Sequence, residues 1–412
     1  MKTYTQFKLL KQFNMISIRR YLLLFAYFCV FSYFFGIVFL NRSGLSIIPN
    51  SFLVIYFIVV GLLIIIEKAP LINFGLLFFG IIFALTSISN IINTVFSYNF
   101  IILTMIGYST YMLASLDKNH FFRRLLFSII IGQGLGLTLI FFHFFVDIIT
   151  DFSFKDGFFN NLDLTASFAS NTLLLIIVYF VSIKHEKSKV FTIGFLIVAV
   201  FAAIILISAT RLGSYISFFL ISTSMLIYFC FTKKNKILFY TVIFILLFLS
   251  IFIFLYFIQK NTRFSMVLMQ FFDLNIVYEA SFRSRILFVL RDILLFLNLP
   301  LFGGGEAFII NFNQESSHNM FGDIGARYGL LLFLFFISFI FATAHSMKYI
   351  KMELQYYVLW FLILAIYTSF YGMFFTSRFN YFHIGAICFF VDGFFKKKYL
   401  FSGMIIMGRV EI

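Results

Sequence analysis

Charge is what this chain has least of. Only 11% of its 412 residues are Asp, Glu, Lys or Arg, against 62% hydrophobic residues, and the mean hydropathy is +1.03. Soluble globular domains carry about 25% charged residues, so that class is excluded, and apolar runs long enough to span a bilayer recur instead. Cysteine is scarce as well. Cys29, Cys230 and Cys388 all fall inside apolar runs, where thiols pack rather than react, and nothing has metal-ligand spacing. No A-x-A-like cleavage site follows the first apolar run, 21–40, which is longer than a signal-peptide h-region. It reads as an uncleaved first helix. Internal repeats and low-complexity linkers are missing, and the two halves lack the matched broken helices of many transporters. The expectation is one integral membrane domain, all-α and polytopic, over 1–412.

What is there divides into about twelve apolar runs. Nine lie near 21–40, 51–66, 71–88, 97–115, 125–149, 165–183, 190–209, 212–231 and 237–258, and three near 329–347, 356–376 and 381–395. The connections on the N-terminal side hold Lys68, Lys118, Arg123, Arg124, Lys184, Lys187, Lys189, Lys233, Lys234, Lys236, Lys348, Lys351, Lys396, Lys397 and Lys398. By the positive-inside rule that side is cytoplasmic and both termini lie on it. The net charge of +15 is therefore spent on orientation, and no nucleic-acid partner is expected. On the opposite side the basic residues are Arg42, Arg211, Arg263, Arg283, Arg285, Arg291, Arg327 and Arg378, with only Lys155 and Lys260. A lysine-rich chain that places arginine on the disfavoured side needs a reason. Arginine's permanently charged fork grips phosphate in a bidentate way that lysine cannot. An anionic ligand at the outer face would supply that reason, whereas long external loops simply tolerating charge would not explain Arg211 and Arg378, whose loops are short.

One long polar interval, 259–329, stands out, with spans nine and ten on either side of it. Helical character over 282–298 ends at Pro300 and at Gly303, Gly304 and Gly305. Arg283 and Arg285 sit roughly 160° apart on an ideal helix, and Arg285 and Arg291 roughly 120° apart, so one ligand recruits at most one or two of them. Glu279 lies four residues before Arg283, and Asp323 four before Arg327; both spacings favour surface ion pairs. Arg285 and Arg291 stay open as ligand contacts. His318 is the one histidine in this interval, between Ser317 and Asn319, and histidine is a natural acid–base group at neutral pH. A second external segment, 150–163, mixes aromatics with Asn160 and Asn161; these suit sugar contacts and equally an interfacial aromatic belt. No D-x-D or E-x-D pair occurs in any external segment, so a metal bridging a diphosphate is not expected.

Four stretches, in this order, resemble the O-antigen polymerase and O-antigen ligase superfamily of bacterial envelope glycosyltransferases. They are D-G-F-F-N-N-L-D-L-T-A at 156–166, A-T-R-L-G at 209–213, S-R-I-L with P-L-F-G-G-G beginning fifteen residues after Arg285, and S-H-N with Gly329 eleven residues after His318. Two departures stand beside them. Arg327 replaces an acidic residue often found two before the glycine, and Met320 follows His318 and Asn319 where some ligases have Glu. The resemblance implies a GT-C-like fold with one large periplasmic catalytic loop, 259–328, containing short helices. It implies a metal-independent inverting glycosyltransferase of the cell inner membrane, without cofactor, acting on an undecaprenyl diphosphate-linked oligosaccharide. Arg211 and Arg285 match the family's diphosphate-binding arginines, with Arg291 a further candidate, and His318 matches its essential histidine. Asn160, Asn161, Asn319 and Arg378 are candidate substrate contacts. The short spacing from Gly305 to Ser317 and the A-R-Y-G end look more polymerase-like, so transfer onto a lipid-linked repeat unit is the expected reaction. Ligation to the lipid A core is the alternative, and flipping of the lipid-linked oligosaccharide a further one. Beyond that donor and the bilayer, the candidate partner is a chain-length regulator.

Overall fold

In hydrocarbon no water satisfies the peptide groups, so each segment must close its own hydrogen bonds, and a helix does this locally. A computed structural model describes residues 2–39, 47–93, 99–143, 162–182, 189–208, 301–305, 321–371 and 378–404, with isolated positions at 218, 221–225, 287, 290–294 and 296–298. Among the described residues every regular element is helical. In chain order we label α1 (Lys2–Phe39), α2 (Ile47–Ile66), α3 (Phe74–Ile92), α4 (Asn99–Leu116), α5 (Phe121–His143), α6 (Leu162–Ser182), α7 (Lys189–Ser208), α8 (Leu330–Ser346), α9 (Met352–Tyr371) and α10 (Arg378–Met404). Six stretches are long and apolar enough to cross a membrane: Met15–Phe39 in α1, all of α2 to α5, and Leu330–Tyr349. Shorter apolar stretches run through α6, α7 and α9. The protein is a multi-pass membrane protein, all-helical among the described residues. The runs expected at 212–231 and 237–258 lie mostly outside the described residues.

Helix ends differ from the apolar runs where polar sequence carries no breaker. α1 begins at Lys2, well before the run at 21, because nothing between Lys2 and Arg20 is Gly or Pro. For the same reason α10 continues through Lys396, Lys397 and Lys398, with Gly403 coming only at its end, next to Met404.

Small residues set the closest helix crossings, as expected where lipid competes for every apolar face. On α5, a Cβ at Gly132 would sit 2.6 Å from the Phe31 carbonyl oxygen, and one at Gly136 would sit 2.8 Å from the Val38 side chain. This Gly-x-x-x-Gly face receives α1. α4 and α10 run parallel, with Asn99 beside Arg378 at one end and Tyr111 bonded to Asp392 towards the other. Between them, a Cβ at Gly385 would lie 2.4 Å from the Gly107 carbonyl oxygen. Buried polar pairs cross the interior: Thr172 donates to Gln133 at 2.9 Å, Tyr56 meets Thr110 at 3.1 Å, and Tyr357 meets His383 Nδ1 at 2.7 Å.

The two ends of the bundle differ in chemistry. At the end where α2 and α4 finish, Arg19 pairs with Glu67 at 2.5 Å and donates to the Leu116 carbonyl at 2.8 Å, capping an orphan acceptor at the C-terminus of α4. Asp117 accepts from Tyr27 at 2.8 Å and from Arg124 at 3.0 Å. Asp392 accepts from Lys396 at 2.6 Å and from Tyr111 at 2.7 Å. Residues the sequence places on one side therefore meet in space. The other end carries the candidate site.

Candidate functional site

The site is built on a glycine turn seated across the end of α3. Residues 301–305 form the turn, and its amides reach the segment that leads into α8: Gly304 N donates to the Ala326 carbonyl at 2.8 Å and Gly305 N to the Arg327 carbonyl at 2.7 Å. The C-terminal turn of α3 holds it from the other side. Ser89 Oγ donates to the Phe302 carbonyl and, at 3.2 Å, to the Arg327 carbonyl. Asn93 Nδ2 donates to the Gly303 carbonyl at 3.1 Å. Glycine is required here for approach as well as conformation. Gly303 has φ +63°, and a Cβ on it would lie 2.5 Å from the Arg327 carbonyl carbon; one on Gly329 would lie 2.1 Å from the Leu301 oxygen.

Before α8 the chain makes a π-helical turn, Phe321–Ala326. Arg327 follows, 8% exposed, with its guanidinium 5.3 Å from the Tyr328 ring centroid. Burial pulls its pKa below the usual arginine value, and the Tyr328 phenol opposes that shift. Arginine so placed remains a cation at neutral pH. Tyr328 in turn packs edge-on against Phe100, 4.6 Å between centroids, at the start of α4. The π-helical turn also takes Phe296, whose ring lies 3.0 Å from where a Cβ on Gly325 would stand. Phe296 packs against Phe333 of α8 at 5.4 Å as well. Helical residues 290–294 and 296–298, the turn and the entry to α8 thus form one assembly on the ends of α3 and α4.

Arg291 lies on that helical stretch. Its Nε and Nη2 donate to Asp292 Oδ1 at 3.1 and 3.0 Å; the Asp292 side chain is fully buried and that of Arg291 is 27% exposed. The cation therefore has a structural task, compensating a buried carboxylate that would otherwise be costly. Arg378, the first residue of α10, donates to Asn50 of α2 at 3.0 Å and reaches Asn99 of α4 at 3.5 Å. Since Asn99 precedes Phe100, Arg327 and Arg378 sit at the same end of the bundle, on either side of the first turn of α4.

Of the residues the sequence singled out, Arg291 and Arg378 are described and both stand at this end. Arg211, Arg285, His318, Asn319, Asn160 and Asn161 lie outside the described residues, as does the Asp323 side chain expected to pair with Arg327. Sequence reasoning passed over Ser89, Asn93, Asp292 and Tyr328. Polar residues in the last turn of an apolar helix were the available signal for the first two. Asp292 stands next to Arg291 in the sequence, but adjacency carries no sign of its burial.

No protein-family model matches this chain. A search of curated proteins likewise finds no match. The functional reading therefore rests on the residues themselves.

Proposed function

We propose that the protein is a surface-polysaccharide polymerase of the O-antigen type, working at the periplasmic face of the inner membrane with both termini in the cytoplasm. One observation carries the reading. Residues 301–305, from the P-L-F-G-G-G stretch that follows Arg285, are bonded backbone to backbone to Ala326 and Arg327, just before the Gly329 that follows His318. They are joined at the end of the bundle opposite the Arg19, Asp117 and Arg124 cluster. The described ends of two stretches of the resemblance thus meet, at the end of the bundle that the positive-inside rule assigns to the outside.

In the proposed reaction an acceptor sugar hydroxyl on a lipid-linked repeat unit attacks the anomeric carbon of the donor glycan. The bond to the carrier diphosphate breaks, with inversion, and undecaprenyl diphosphate leaves. Arg211 and Arg285 stabilise charge building on the leaving diphosphate in a site of low dielectric. Arg291 adds to that field while held by Asp292. His318 orients the acceptor hydroxyl and takes its proton, with Asn319, Asn160 and Asn161 as sugar contacts and Arg378 as a further substrate contact. Compared with a flippase, this reading fits the location of buried charge. Among the described residues the buried charged side chains are Asp117, Asp292, Arg327 and Asp392, all towards the ends of the bundle, where a transporter would place charge along a central path.

Deletion followed by gel analysis of surface polysaccharide tests the proposal. A polymerase predicts a single repeat unit on the core. Bare core with polymer accumulated on the carrier would reassign the protein as a ligase, and an unchanged profile would contradict both.

A further inference from the structure

A histidine buried in a helix of a membrane protein needs both ring nitrogens satisfied from within, because hydrocarbon offers neither a partner. His383 of α10 is fully buried, as are Tyr357 and Trp360 of α9. His383 Nδ1 meets the Tyr357 hydroxyl at 2.7 Å. The imidazole also stands edge to face with the Trp360 indole, 4.7 Å between centroids and 71° between planes. Tyr357 and Trp360, one turn apart on α9, stack at 5.4 Å and 25°. Phe122 of α5 packs edge-on against Tyr357 at 4.9 Å. Two polar atoms of this triad are left over: His383 Nε2 and Trp360 Nε1 have no hydrogen-bond partner among the described residues.

Counting protons shows what the pair lacks. The indole nitrogen is a donor only. When the Tyr357 hydroxyl donates to Nδ1, the neutral imidazole carries its proton on Nε2, and two N–H groups stand side by side. The opposite tautomer serves fewer atoms, since it leaves the phenol proton, Nε2 and the indole N–H all without a partner. An edge-to-face pair points one edge at one face, so at most one of the two N–H groups reaches a π cloud. Tyr357 lies nearly parallel to the indole and offers that N–H no face. At least one buried N–H therefore still calls for an oxygen acceptor, and leaving it unmade is costly.

We propose that His383 and Trp360 share one internal water molecule between α9 and α10. Its oxygen accepts from the imidazole Nε2–H and the indole N–H, while Tyr357 fixes the imidazole by its other nitrogen. Water suits the site because all three side chains are fully buried, which leaves a larger ligand no entrance. Buried waters characteristically join polar groups that the fold itself leaves over. The water is then part of the contact between α9 and α10, and it ties the one tryptophan of the chain to a histidine on the neighbouring helix. The inference stands on this geometry and is independent of the glycosyl-transfer reading.

Because Trp360 is the single tryptophan, the full-length protein labelled with ¹⁵N-tryptophan gives one indole N–H resonance in detergent. Magnetisation transfer from water to that proton is the test, recorded in the laboratory and rotating frames. A bound water gives transfer of opposite sign in the two experiments, whereas proton exchange gives the same sign. The parent should show the opposite-sign transfer. His383→Phe keeps an aromatic ring but removes the second anchor, and the transfer should be lost. His383→Gln restores an amide N–H near the place of Nε2 and should recover it, which separates hydrogen bonding from a packing defect. Absence of transfer in the folded parent, or same-sign transfer alone, would overturn the water site. Transfer at parent strength in His383→Phe would remove His383 from it. Loss in His383→Gln equal to that in His383→Phe would assign the change to packing and contradict a shared water.

Discussion

Arginine recurs at this end because each copy answers a different local demand. Arg291 neutralises a fully buried carboxylate, Arg327 stacks on Tyr328 under burial, and Arg378 ties three helix starts together. Replacing Arg291 with Ala should lower stability by about 2 kcal/mol, below the usual range for a buried pair because Arg291 is partly exposed. The double change Arg291→Met with Asp292→Leu should recover most of that loss, since a matched apolar pair avoids the desolvation cost. Thermal unfolding in detergent checks both. A single-variant loss that the double variant fails to recover would mean that Asp292 is held mainly by other groups. Side-chain identity showed where arginine accumulates, but not which arginine is tied down. Asp292 is adjacent in sequence to Arg291, yet its burial depends on how residues 290–294 and 296–298 lie on α8, which no spacing rule encodes.

At the scale of the element, the glycine turn is the part most dependent on backbone. Gly329 has φ +88° and ψ 177°, a region reserved for glycine, and Leu301 leaves no room for a Cβ. Gly329→Ala should therefore cost about 2 to 3 kcal/mol, read as a lowered unfolding temperature and reduced yield of folded protein. Ser89→Ala should cost about 1 kcal/mol, one buried hydroxyl's hydrogen bonding. If Ser89→Ala were silent, the turn would owe its position to Asn93 and to the amides of Gly304 and Gly305. The break at 300–305 was legible from Pro and Gly, and so were the apolar helices, because bilayer thickness fixes their length. The docking of the turn on α3 was not. Ser89 and Asn93 lie more than two hundred residues from Phe302 and Gly303, and a contact at that separation leaves no periodic trace in one sequence.

For the molecule as a whole, the two ends differ in chemistry. Lys68, Lys118, Lys348 and the Arg19, Asp117 and Arg124 cluster mark one end; the glycine turn and Arg378 mark the other. With Cys230 replaced by Ser, cysteines introduced at Leu301 and at Lys118 should label from opposite sides of the membrane, against a background in which Cys29 and Cys388 are buried. Labelling of both from one side would invalidate the arrangement of spans. The most direct trial of the central claim follows glycan transfer and transbilayer movement of the lipid-linked unit side by side, in cells carrying His318→Ala or Arg285→Ala. Each variant should abolish transfer, while the lipid-linked unit still crosses the membrane and accumulates on the outer side. Loss of that movement with either variant would contradict a glycosyltransferase and assign the protein to transport.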